Sequence, residues 1–82
     1  EVARHDPRGA LFAGADGLDA YRAILPELPR LLAAGGFALF EIGATQAEAV
    51  SDIARAAGLD VVEIIRDLAG HDRCVVMNVP SD

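Results

Sequence analysis

The chain has 82 residues, enough for one small domain, and a domain of this size buries only about 60–65% of its unfolded surface. Apolar residues make up 52% of it but only three are Phe, one is Tyr and none is Trp, so Ala, Leu, Val and Ile dominate, a mix suited to strands covered by helices on both faces. Seven arginines, no lysine and thirteen acidic residues give a net charge of −6, which argues against direct nucleic-acid binding and against anionic membranes.

Residues 1–15 show no periodicity and are punctuated by Pro7, Gly9 and Gly14, so they read as an irregular lead-in. Asp16 is placed to cap a helix. Leu18, Tyr21, Leu25, Leu28, Leu31 and Leu32 then draw one apolar stripe. Pro26 and Pro29 interrupt it, because proline lacks the amide donor and clashes with the preceding turn. The expectation over 16–34 is a helix or broken helix, with one segment at about 17–25 and a restart at about 26–33 whose first turn tolerates Pro26. Gly35-Gly36 ends it.

Residues 37–42, F-A-L-F-E-I, form a nearly continuous apolar run bounded by turn residues, the pattern of a strand buried on both faces. Thr45-Gln46-Ala47-Glu48 reads as a capping box for a helix at 46–57, with Thr45 as the cap. Gly58 stops that helix. Residues 59–66 and 73–79 read as strands, and the six residues between them, with Gly70, suit a hairpin loop. The strand–helix–strand unit implies parallel strands, and the hairpin returns the last strand antiparallel. The fold class is therefore α/β, a three-stranded mixed sheet with flanking helices.

Cys74 stands alone, which excludes an internal disulfide and fits a reducing, cytoplasmic setting. No apolar run approaches the roughly 20 residues of a membrane helix. The chain opens on Glu1 without a methionine, as expected of a piece of something longer.

This order of elements resembles the last third of a class I S-adenosylmethionine-dependent methyltransferase, a Rossmann-like fold. The text narrows the resemblance. Asp6-Pro7, A-D-G-L-D-A-Y-R at 15–22, L-L-A-A-G-G-F at 31–37, E-I-G at 41–43, Q-A-E-A-V at 46–50 and R-D-L-A-G-H-D-R at 66–73 together resemble the HemK-like family. The resemblance covers about residues 3–79. It implies an enzyme that methylates a glutamine side-chain amide of peptide-chain release factors, with S-adenosyl-L-methionine as cofactor and the release factor as partner. It also implies that strand 73–79 inserts between 37–42 and 59–66, antiparallel to both.

Two family motifs are missing. No Gly-x-Gly turn for the cofactor and no Asn-Pro of the glutamine-binding N-P-P-Y motif occur in the sequence. By the resemblance, Glu1 falls a few residues beyond that motif, so no catalytic or cofactor-binding residue is carried over. The release-factor-binding helical domain is missing as well. The 82 residues alone are expected to be inactive and to bind no cofactor.

Three residues are candidates for lining the cleft of the parent enzyme. Glu41 sits at the carboxyl end of an apolar strand, where open α/β sheets bind ligands; the alternative is a solvated strand-end carboxylate. His5 and Asp6 lie in a segment that the resembled family places beside its glutamine pocket. His5 and His71 have no third ligand nearby in sequence, so no metal site is expected. Arg66, Asp67, Asp72 and Arg73 read as ion pairs flanking the hairpin rather than as partner contacts. Cys74 reads as a small core residue rather than a nucleophile, and Ser51, Thr45 and the histidines form no triad. The rival readings are a non-catalytic interaction module and a piece of another Rossmann-like enzyme such as a dehydrogenase. If the parent's neighbouring strand is missing, the 37–42 edge is expected either to drive self-association or to be covered by a rearranged lead-in.

Overall fold

The computed structural model describes residues 2–6, 8–12 and 17–80, with the backbone alone described at 2–6 and 10–12. Asp16, the expected helix cap, lies outside the described residues; Gly17 occupies the cap position and makes no side-chain bond. The stripe from Leu18 onward forms α1 (Leu18–Ile24), one turn of 3-10 helix (Leu25–Glu27) and α2 (Leu28–Leu31). Each proline stands in the first turn of its segment, Pro26 in the 3-10 turn and Pro29 in α2, where the absent amide breaks no helical bond. The stripe supplies Tyr21, Leu25, Leu28 and Leu32 to the core.

Gly35, at φ 83°, reverses the chain into β3 (Phe37–Glu41). The Gly35 amide donates to the Val79 carbonyl at 2.9 Å and the Val79 amide to the Gly36 carbonyl at 2.8 Å, which ties this turn to the final strand. After β3, a tight turn leads into α3 (Ala47–Ala56). That helix ends in a Schellman arrangement. Gly58, at φ 88°, donates to the Arg55 carbonyl, and the Leu59 amide donates to the Ala54 carbonyl, both at 3.0 Å. The same reversal drops the Leu59 side chain into the core. β4 (Asp60–Arg66) and β5 (Asp72–Asn78) follow as an antiparallel hairpin.

β5 lies between β3 and β4 and runs antiparallel to both, the insertion that the resemblance implies. The lead-in differs from expectation. It contributes β1 (Val2–Asp6) and β2 (Gly9–Phe12), so the sheet has five strands in the order β1-β2-β3-β5-β4 rather than three. β2 pairs parallel to β3, from Gly9 beside Phe37 to Phe12 beside Phe40. Of the two outcomes expected for the 37–42 edge, self-association or cover by a rearranged lead-in, the structure has the second: the lead-in hairpin occupies it. Gly9 eases this approach, because a Cβ there would stand 3.1 Å from the Phe37 carbonyl oxygen, a tight contact.

The helices lie on one face. Ala38 and Phe40 of β3 and Val75 and Met77 of β5 point into a single core with Tyr21, Val50 and Ala54. Tyr21 and Phe40 meet with ring centroids 5.8 Å apart, and α3 packs across β4 and β5. The reading of β3 as buried on both faces is corrected: Ala38 and Phe40 are buried, whereas Phe37 is 53% exposed. Alternation along a strand sends successive side chains to opposite faces, and only one face carries helices among the described residues.

Candidate functional site at the carboxyl end of the central strands

Glu41 ends β3 and is exposed. Its backbone carbonyl accepts a hydrogen bond of 2.9 Å from the buried Tyr21 hydroxyl. One residue on, the Ile42 amide donates to the Arg73 carbonyl at 2.8 Å. The carboxyl end of β3 is thereby fixed to α1 on one side and to the start of β5 on the other. Cys74 stands directly across from Glu41. Burial pushes the Cys74 thiol up from its ordinary value and the Glu41 carboxylate adds to the rise, so this sulfur stays a thiol rather than a nucleophilic thiolate.

The hairpin loop at the same end is organised by Asp67. One carboxylate oxygen accepts from the Ala69 and His71 amides, each at 2.9 Å, and the other accepts from Arg73 Nε at 2.8 Å. These bonds hold the Asp67 carboxyl below the usual range, the His71 amide contributing most and Arg73 next. Backbone bonds between Asp67 and His71 and from Gly70 back to Asp67 close the loop, with Gly70 at φ 88°. Arg66 pairs with Asp72 at 2.9 Å outside it. The four flanking charges thus pair with one another, as the sequence suggests.

The turn between β3 and α3 departs from the capping-box reading. The first helical amide bond, from Val50, is accepted by the Gln46 carbonyl at 2.9 Å, which makes Gln46 the cap residue. Thr45 falls one position earlier and cannot cap. The Gln46 side chain instead folds back, its Oε1 accepting from the Gly43 amide at 2.8 Å. The turn is closed by the chain's own side-chain amide, and the Gln46 backbone amide in turn donates to the Gly43 carbonyl at 3.0 Å.

His5 and Asp6 sit elsewhere. Asp6 pairs with Gly9, which pairs with Phe37, and His5 pairs with Ala10 in the next row. That is the amino end of β3, four residues or about 13 Å from Glu41. The structure does not bring the three candidates together. Two organising roles are not evident from the sequence reading: Tyr21 reads only as one more stripe position, and Asp67 only as an ion-pair member, although the Asp67 to Gly70 spacing does carry a turn signal. Among the described residues, no three His, Cys, Asp or Glu side chains are grouped to hold a metal ion, and no helix is long and apolar enough to cross a membrane.

What remains at this end is a fixed strand terminus, an exposed carboxylate and a rigid loop. Such a wall can orient a ligand and accept its hydrogen bonds, but it offers no activated nucleophile.

No protein-family model matches the chain. Curated proteins do. The chain is 49% identical over 76 residues to the release factor glutamine methyltransferase of Caulobacter vibrioides, covering 93% of the chain and 26% of that protein. It is 48% identical over 81 residues to that of Cereibacter sphaeroides, 99% of the chain and 29% of that protein. It is 51% identical over 72 residues to that of Moorella thermoacetica, 87% of the chain and 25% of that protein. The chain spans about a quarter of the length of these relatives. Along nearly all of its own length, the chain is therefore similar to one segment of the release factor glutamine methyltransferases.

Proposed function

We propose that these residues form the C-terminal wall of an enzyme that transfers a methyl group from S-adenosyl-L-methionine to a glutamine side-chain amide of a peptide-chain release factor. The observation that carries this reading is the identity of 48–49% spread over nearly the entire chain. The residues present do not fit the cofactor itself. The strand-to-helix turn at Gly43 is filled by Gln46, and no Gly-x-Gly turn exists in the sequence. On this reading, cofactor and glutamine are held by regions that the chain does not span. The contribution of this chain is positional: a wall at the sheet's carboxyl end, with Glu41 lining the cleft, helps hold an amide in line with the methyl donor. The reading carries a cytoplasmic location with it. A chimera tests it, in which residues 1–82 replace the matched segment of the Caulobacter protein. Transfer of labelled methyl to a release factor is expected. A folded chimera that transfers none refutes the reading, and micromolar binding of S-adenosylmethionine to the isolated chain would show that the cofactor site lies here after all.

A further inference from the structure

The loop between β4 and β5 carries an apolar side chain that its own structure does not use. The Gly70 amide donates to the Asp67 carbonyl at 3.0 Å, so residues 67–70 form a turn whose second position is Leu68. The bonds that hold the loop come from other groups: the Asp67 carboxylate, the amides of Ala69 and His71, and the Arg73 guanidinium. Turns of this kind favour proline, not a large apolar residue, at the second position. Leu68 is nevertheless 108% exposed, more than any other large hydrophobic among the described residues. Single exposed apolar residues are ordinary on protein surfaces. This one is distinguished by its fixed mount and its place. β4 runs parallel to β3, because each is antiparallel to the β5 between them. The loop therefore leaves the sheet at the same end as Glu41, two strand spacings or about 10 Å to its side. Open α/β sheets bind their ligands beyond that end.

We infer that Leu68 is a docking point for the polypeptide substrate, entering an apolar depression of the release factor near the glutamine that is methylated. The inference rests on the functional reading above. Three observations select this partner. The charges flanking the loop are paired with one another, Arg66 with Asp72 at 2.9 Å and Arg73 with Asp67 at 2.8 Å, so its tip offers apolar contact rather than an ionic one. Leu68 projects from a convex tip and lines no pocket, whereas small molecules bind in concave sites that cover most of their surface. The methyl donor is thus the poorer occupant, and a protein surface the better one. Finally, the loop is already held by its own hydrogen bonds, so it loses little freedom on binding, the condition under which one buried side chain contributes most to affinity.

The test uses the chimera that carries residues 1–82 in the Caulobacter protein. Leu68→Ser should raise KM for the release factor, and weaken its binding measured by fluorescence anisotropy, by about tenfold, the scale expected for burying one leucine side chain. Leu68→Met should retain most of the affinity, and KM for S-adenosylmethionine should move in neither variant. Arg55→Glu lies in the last turn of α3, toward the amino ends of the strands, and should change neither KM. Because the Leu68 side chain is fully exposed, Leu68→Ser should leave the circular dichroism and the urea midpoint unchanged. Release-factor binding indifferent to Leu68→Ser, or a loss confined to S-adenosylmethionine, would overturn the inference. The two readings fail separately. An active chimera indifferent to Leu68→Ser removes only the docking point. A folded, inactive chimera that binds the release factor through Leu68 would refute the functional reading and leave the docking point standing.

Discussion

Removing one oxygen atom from Tyr21 tests how the carboxyl end of β3 is held. The Tyr21 ring is buried and its hydroxyl donates to the Glu41 carbonyl at 2.9 Å, so Tyr21→Phe keeps the ring against Phe40 and deletes that bond. A net hydrogen bond contributes about 0.5–1.5 kcal/mol, and leaving a partly buried carbonyl unpaired sets the expectation near about 1 kcal/mol. A domain of this length is stable by about 4–12 kcal/mol in total, so the loss is measurable. It corresponds to a fall in Tm of about 4–8 °C for a domain of this size. Urea unfolding followed by circular dichroism should show a lower midpoint at unchanged slope. Tyr21→Ala, which also removes the ring, should cost about 3–5 kcal/mol and sets the scale. A Tyr21→Phe protein with the parent's midpoint would show that ring packing alone holds α1 to the sheet and that the hydroxyl contributes nothing.

Two further perturbations address the turn and the loop. Gln46→Ala deletes the 2.8 Å bond to the Gly43 amide and should destabilise by about 0.5–1.5 kcal/mol, whereas Thr45→Ala should change the urea midpoint negligibly; the reverse ranking would reinstate Thr45 as the cap. Because the folded pKa of Asp67 lies below its unfolded value of about 3.9, its contribution is present above that value and is lost as pH falls through the folded pKa. Unfolding midpoints measured from pH 6 down to pH 2 should therefore fall less steeply in Asp67→Asn than in the parent, and parallel curves would remove Asp67 from the account.

The elements legible in the sequence are those whose signals are local. α3 announces itself through its apolar face and Gly58, and β4 and β5 through apolar runs on either side of a Gly-bearing loop. β2 is a four-residue apolar run, G-A-L-F, much like the F-A-L-F of β3. What makes it a strand is its partner 28 residues away and the space left by a glycine, neither of which is visible in its own neighbourhood. The cap of α3 was misplaced for a related reason. Ser, Thr, Asn and Asp are the usual caps, and a glutamine that closes the preceding turn through its side chain leaves no such mark. At the candidate site, Glu41 could be found from its position at a strand end. The separation of His5 and Asp6 from it depends on the parallel register of β2, which only the folded chain reveals.

The strand order also bears on how the chain comes off the ribosome. Among the described strands β5 is made last, yet it is the one that β3 and β4 share. At about 5–20 residues per second, the 30 residues between Glu41 and Asp72 take on the order of seconds to emerge, while a hairpin such as β4–β5 closes in about 1–10 μs once both strands are free. For that interval the nascent chain holds β3 with a bare edge and α3 without the β4–β5 hairpin it packs across. Synthesis, not hairpin closure, sets the pace of assembly, and the early β1–β2 hairpin can shield only one of β3's two sides while the chain waits.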